Sequence, residues 1–413
     1  MSESAHGANR EAPAGADRSL AFAFSATNPG YHADPLPWYR ALLAGPPVQV
    51  KIGTLTTVFS RYADCVAVLR DHQRFSSVIP LMPGTEGFQF FGDTQLLTFT
   101  DPPAHTRLRR LVAPSFAPRK IEEMAPRVRV MVDGLLDRAG AKNEIELFSE
   151  LSSRLPIMFI GEMLGVPERD FDLIFELTRY LFKLGAIEPN APFPAEILQT
   201  FTRQRAYFSE LIDQRRRHRG QDLISEVIAA HDDKGAISDE EMLRLILTLV
   251  LAGITTTADQ ITSAIFQLLE HPGQLAELRR EPAFLASAVE EIMRYDPVVN
   301  MTIRIATEDT DFGGVRVPRG TPVYAVIGAA NRDPAKFDNP DRFDIRREPN
   351  DHLSFGEGIH FCLGAAPARL QTRVVVGAML ERFPRLRLSP AHKPAYRGTP
   401  MSRGIQELRL LID

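Results

Sequence analysis

The chain has two cysteines, and their surroundings differ. Cys65 lies in an apolar run, Cys65-Val66-Ala67-Val68-Leu69, where a lone thiol behaves as a small core side chain. Cys362 lies in Phe355-Gly356-Glu357-Gly358-Ile359-His360-Phe361-Cys362-Leu363-Gly364, between a glycine turn and a helical run. A helix N-terminus offers free amides and the positive end of a dipole, which lowers thiol pKa and favours thiolate. Gly356 and Gly358 admit backbone conformations closed to other residues, and Gly364 lets a flat group approach the helix. Two cysteines cannot make a disulfide framework, and such usage fits a reducing, cytoplasmic setting.

Three further groups could serve chemistry. Leu251-Ala252-Gly253-Ile254-Thr255-Thr256-Thr257 interrupts an apolar helix with hydroxyls. A threonine there bonds back to the carbonyl one turn earlier and bends the helix, and Gly253 beside it predicts a kink with room for a small molecule. Glu291 and Arg294 stand at i and i+3, close enough to pair, although an isolated pair of this kind is usually surface decoration. His105 and Arg109, at i and i+4, share one helix face.

The elements that must position these residues are mostly helical. Ser238 followed by Glu241 is a capping-box signature for a helix running to about Glu270, where His271-Pro272 ends it. That helix is apolar nearly all round, so it belongs in the middle of the molecule, and at ~1.5 Å per residue it is about 50 Å long. A helix over roughly 281–295 follows, then short strands over 302–328 around Gly313-Gly314 and Arg319-Gly320, and a last helix from about Gly364 to Phe383. Val48–Ile52 and Leu55–Ser60 alternate around Gly53 as a hairpin. One large, mainly α domain with a minor β-sheet, residues 19–413, is expected after a solvated tail over residues 1–18.

Composition excludes several classes. Lys plus Arg number 48 against 52 Asp plus Glu, a net charge of −4, so there is no electrostatic case for nucleic-acid binding. The longest apolar run, Leu245 to Ile254, is too short to span a bilayer, which takes ~20 residues. No signal-peptide core opens the chain.

The Phe355–Gly364 segment resembles, position by position, the haem-ligand signature of the cytochromes P-450. The resemblance extends from about residue 35 to the C-terminus through four further motifs. It implies a haem b cofactor between the long central helix and the cysteine loop, with Cys362 as axial thiolate and Phe355 shielding it. Ala252, Gly253, Gly356 and Gly364 would lie against the porphyrin. Thr256 matches the alcohol that helps deliver protons to dioxygen, the reaction being a monooxygenation. Glu291 and Arg294 resemble the family's buried pair, with Arg342 of Pro340-Asp341-Arg342-Phe343 as third partner. His105, Arg109, Arg304 and His360 match propionate-binding positions.

Two departures stand out. The residue before Thr256 is usually acidic and here is Thr255, so the protons are expected to come by ordered water through the Thr255 and Thr256 hydroxyls, with Asp259 one turn on as an alternative. Pro367 replaces the usual leucine, within a first helical turn that tolerates proline. Phe88, Phe90, Phe91, Phe182, Val298, Met301 and Met401 fall in regions that line the family's pocket, and they imply an apolar, medium-to-large organic substrate of secondary metabolism. Without a nucleotide-binding fingerprint, electrons are expected from a ferredoxin and its ferredoxin reductase. Arg107, Arg110, Arg119, Lys120, Arg346 and Arg347 are the candidates for a basic docking face, and a monomer is expected. The alternatives are a haem-thiolate enzyme of unusual chemistry (peroxide-driven oxidation, desaturation, coupling or rearrangement) and a haem-binding sensor without turnover.

Overall fold

Ser238 opens the element around which the molecule is arranged. The computed structural model describes residues 29–52, 54–79, 96–139, 143–178, 180, 194–232, 237–390, 393–399 and 401–412. In it Ser238 Oγ accepts from the Glu241 amide at 3.2 Å, and Glu241 accepts from the Ser238 amide at 2.9 Å. Both halves of the predicted capping box are therefore made, and the central helix runs from Asp239 to Glu270. It packs against the final helix Ala365–Arg382, the helix Leu155–Met163 and the strand Ser402–Glu407. Among the described residues it is the one helix long and apolar enough to cross a membrane, and most of that stretch is buried inside the fold.

The sheets are minor and sit to one side. The largest has five strands in the order Val48–Ile52, Thr54–Phe59, Pro322–Ala325, Thr302–Ala306, Phe75–Ser76. Only Thr54–Phe59 and Pro322–Ala325 run parallel. The hairpin read around Gly53 is present, with Val50 opposite Thr56. Gly313 and Gly314, both at positive φ (61° and 83°), close a separate ribbon of Thr310–Phe312 with Val315–Val317. A two-residue turn with two positive φ values suits a tight, strongly twisted hairpin. The 302–328 region thus divides between two sheets where the sequence suggested one.

Helix boundaries near residue 272 also differ from expectation. Pro272 ends the central helix and is also the first residue of a new one, Pro272–Arg280. Proline suits that position because its missing N–H has no intrahelical partner there anyway. The next helix then begins at Leu285 and ends at Tyr295. Pro367 lies buried in the first turn of the final helix, as its sequence position allows. The architecture is mainly α with small sheets, as predicted. The proposed tail, residues 1–18, lies outside the described residues.

Candidate active site

Cys362 sits in a loop whose geometry two glycines make available. Gly356 and Gly358 have φ of 70° and 72°, and a short turn of helix, Gly358–His360, follows. At Gly358 any side chain would also meet the Leu69 carbonyl oxygen, 2.6 Å from the position of a Cβ. The Cys362 amide donates to the Phe355 carbonyl at 2.8 Å, closing the loop on itself two residues before Gly364, the cap of the final helix. Burial pushes the Cys362 thiol up, while the Gly364 amide, Arg109 and Arg369 pull it down. The helix terminus alone predicted a net lowering; here burial outweighs it. A thiol so placed ionises fully when a metal cation takes the sulfur.

Beside the loop lies a concentration of buried nitrogen donors. His105, on the helix Ala104–Val112, is 2% exposed. Its ring is 4.2 Å from that of His360, centroid to centroid. Both His105 ring nitrogens and His360 Nε2 are buried with no hydrogen-bond partner among the described residues. Arg304, 7% exposed, donates among the described residues to the Ile303 carbonyl (2.8 Å) and the Thr302 hydroxyl (3.2 Å). Arg109 donates to the Phe361 carbonyl at 2.5 Å. Burial pushes His360 down to about 3, with His105, Arg304 and Arg109 adding to the effect, and it lowers Arg304 to about 10. Among the described residues none of the four forms a salt bridge. Arginines with no acid beside them and buried imidazole nitrogens with no partner cost free energy unless acceptors meet them. This donor set fits a group carrying carboxylates.

The central helix is open along one short stretch. Residues 245–250 and 257–265 are buried throughout, yet between them Ala252 is exposed and Leu251, Gly253, Thr255 and Thr256 are half-buried. A Cβ on Gly253 would meet nothing within 4 Å. Thr256 Oγ1 donates to the Ala252 carbonyl at 2.7 Å. The segment is α-helical without interruption and makes the expected bond back to the carbonyl one turn earlier, with the small residues Ala252 and Gly253 leaving room beside it. Asp259 does not join this open face: it is buried and paired with Arg397 of the strand Ala395–Thr399. Burial pushes it up to about 7 against the pull of Arg397.

Comparison with known proteins agrees with this geometry. The family model for cytochrome P450 matches residues 40–397. The chain is a cytochrome P450. It is 40% identical over 395 residues to the cytochrome P450 monooxygenase PikC of Streptomyces venezuelae, covering 92% of this chain and 91% of that one. It is 36% identical over 403 residues to 6-deoxyerythronolide B hydroxylase of Saccharopolyspora erythraea, covering 93% and 97%. Among solved structures it resembles P450BioI in complex with acyl carrier protein ligated to hexadec-9Z-enoic acid, with a TM-score of 0.84 at 35% identity, over 93% of this chain and 100% of that one. The protein is thus a P450 monooxygenase of bacterial type, and its family implies a haem-thiolate cofactor.

In this P450 a buried ion cluster holds the irregular stretch that precedes the Cys362 loop. Glu291 and Arg294 are both fully buried, and Arg294 donates to both Glu291 oxygens at 2.7 and 2.9 Å. Arg294 also donates to the carbonyls of Asn331, Pro340 and Arg342. The third partner is Arg347 and not Arg342. Arg347 Nε lies 3.1 and 3.2 Å from the Glu291 oxygens with its side chain 10% exposed. The Arg342 side chain is 67% exposed and reaches only Asp344. The irregular backbone between the two arginines turns Arg342 outward and offers only its carbonyl. Sequence reasoning also missed Asn331, whose side chain donates to Ser354 (2.9 Å) and accepts from the Leu353 amide (2.7 Å). No local pattern marks such a long-range polar contact.

The substrate residues fare unevenly. Met301 is wholly buried in a cluster with Tyr31, Trp38, Tyr39 and Val58, and Met401 packs against that same cluster. They belong to the N-terminal core, because the bridge of Val299 to Ser402 turns both toward it. Val298 is 7% exposed. Phe88, Phe90, Phe91 and Phe182 lie outside the described residues. The expected basic face is largely answered within the chain. Arg107 pairs with Glu241, Arg119 with Glu123, Lys120 with Glu226 and Arg346 with Glu277, while Arg347 is buried on Glu291. Arg110 alone of the six is exposed without a salt bridge among the described residues.

Proposed function

We propose that this P450 binds haem b between the open stretch of the central helix and the Cys362 loop, and inserts oxygen into an apolar, medium-to-large organic molecule of secondary metabolism. The observation that carries the reading is the set of His105, Arg304, His360 and Arg109 beside Cys362, which meets no acid among the described residues and leaves imidazole nitrogens without a partner. These residues would meet the two propionates, and Cys362 Sγ would supply the thiolate. When bound, haem supplies dioxygen activation, with the thiolate favouring O–O cleavage.

The protein's own contribution follows from the residues around that space. Ala252 and Gly253 leave room against the helix for a flat group and a small molecule. Thr256 Oγ1 gives its proton to the Ala252 carbonyl and keeps its lone pairs free to accept. To pass a proton inward, the hydroxyl must leave that carbonyl and take a proton from water, which the neighbouring Thr255 hydroxyl can orient. Asp259, held by Arg397, is not needed for this route. The relatives support the substrate class: one is named for hydroxylating 6-deoxyerythronolide B, and the similar P450BioI was solved with a fatty-acid-loaded carrier protein. Electrons would come from a ferredoxin and its reductase.

The test is spectroscopic. Protein purified after growth with ample haem should be red, and its reduced carbonyl adduct should show the red-shifted Soret band of thiolate ligation. A His105→Ala, Arg304→Ala double variant should retain haem poorly. Colourless wild-type protein, or an adduct without the red-shifted band, would overturn the reading.

A further inference from the structure

Glu290, next to Glu291 in sequence, serves a different partner. Arg369, one turn into the final helix, donates to both Glu290 oxygens at 2.7 Å through Nε and Nη2. His352 Nε2 lies 3.2 Å from the same carboxylate. Held in this fork, Arg369 places its guanidinium carbon 4.5 Å from the centroid of the Phe355 ring. Phe355 in turn accepts the Cys362 amide through its carbonyl. A cation is therefore fixed by two parallel hydrogen bonds on the aromatic side chain that begins the cysteine loop. Bidentate pairing and stacking on a ring face are what a guanidinium does and an ammonium does not.

The ion cluster of Glu291, Arg294 and Arg347 holds the stretch before the loop, through residues 331 to 350, and makes no contact with the Phe355 ring among the described residues. Arg369 differs from that cluster in its place: its guanidinium lies on the ring of the residue whose carbonyl takes the Cys362 amide, so its charge stands beside the loop that carries the sulfur. Reduction of a thiolate-bound centre adds negative charge, and a nearby cation favours the reduced form. Glu290, at hydrogen-bond distance from Arg369, offsets part of that charge.

Resting on the assignment of Cys362 as the haem ligand, we propose that Arg369 is a positioning residue that raises the reduction potential of the bound cofactor, with Glu290 setting how much of its charge is felt. A purely structural clamp predicts equal and indifferent effects of breaking either side. Charge tuning predicts opposite ones.

The experiment is potentiometry of full-length haem-loaded protein. Arg369→Met keeps the packing and removes the charge; it should lower the reduction equilibrium on the order of tenfold, the scale of one partly screened charge, or about 59 mV for one electron. Glu290→Gln leaves the cation less compensated and should raise the equilibrium roughly threefold on the same reasoning. Arg369→Lys should fall between wild type and Arg369→Met. Unmoved potentials, or shifts of one sign in both Arg369→Met and Glu290→Gln, would overturn the proposal while the red-shifted carbonyl band stays intact. If Arg369→Met loads no haem, the sign for Glu290→Gln decides alone: a rise supports the proposal, and no change or a fall overturns it. Loss of the carbonyl band from the wild type would instead refute the haem-ligand assignment beneath it.

Discussion

Arg347 closes the far side of the Glu291 carboxylate, 56 residues along the chain, with Nε 3.1 Å from Oε2. With Arg294 on the near side, both oxygens of a wholly buried acid are shared between two guanidiniums. The Asp344 amide and the Asn350 side chain complete the shell at 2.9 and 3.2 Å. A buried charge so fully met costs little in place and much when a partner is removed.

Replacing Arg347 and Arg342 by alanine should therefore have unequal results. Arg347→Ala leaves Glu291 short of a buried partner and should cost about 3–5 kcal/mol with loss of haem. Arg342→Ala removes an exposed side chain and should stay within about 0.5 kcal/mol. Urea midpoints and haem content per chain check the pair, and equal losses would contradict the assignment of Arg347.

Gly356 and Gly358 have nearly the same φ but different neighbours. Gly356→Ala should cost only the left-handed strain of about 1–2 kcal/mol, because its Cβ would come no nearer than 4.0 Å to the His360 carbonyl oxygen, an ordinary contact. Gly358→Ala adds a clash with the Leu69 carbonyl and should prevent haem loading. The carbonyl-adduct spectrum of each variant, with its thermal midpoint, separates strain from collision.

Glu290 predicts a specific acid response. Burial raises its pKa, but His352 and Arg369 outweigh burial and bring it down to about 2. An unfolded glutamate titrates near ~4.3. The native state therefore binds fewer protons in between, and the stability that Glu290 contributes is complete above ~4.3 and lost as pH falls toward about 2. The gap in urea midpoint between wild type and Glu290→Gln should be constant from pH 7 to 5 and shrink below ~4.3. A gap that does not narrow in acid would show that the pairing lacks this linkage.

Thr256→Ala should lower product formed per oxygen consumed by roughly tenfold. That is less than the ~10²–10⁴ of a dedicated general acid, because the Thr255 hydroxyl remains. Thr256→Ser should keep most of the coupling, and Thr255→Asp should not reduce it. Oxygen-electrode traces against product yield make the comparison. Unchanged coupling in Thr256→Ala would remove the hydroxyl from the proton route.

What could be read from the sequence was mostly what is local. The Ser238–Glu241 box and the glycine-framed Cys362 loop span a few residues each, and their physics is complete within that span. The helix Ala365–Arg382 and the hairpin at Val48–Phe59 followed from periodicity for the same reason. Arg347 was misassigned as a docking charge because nothing within its neighbourhood indicates Glu291. Met301 was placed in a pocket-lining region by resemblance, and its burial among Tyr31, Trp38 and Tyr39 depends on residues far away in the chain. The bond from Thr256 Oγ1 back to the Ala252 carbonyl was legible for the same reason as the capping box, being complete within one turn of a helix that continues through it. Pro272 was read as a stop signal, and it is also a start.

The way Arg294 makes its contacts bears on how this chain can vary. Beyond Glu291 its donors go only to main-chain oxygens, at residues 331, 340 and 342, and Arg347 adds those of 338 and 339. Oxygens of this kind are common to all amino acids. Side chains along that stretch can accordingly drift, by mutation, without loosening the anchorage, provided that its length and path are kept.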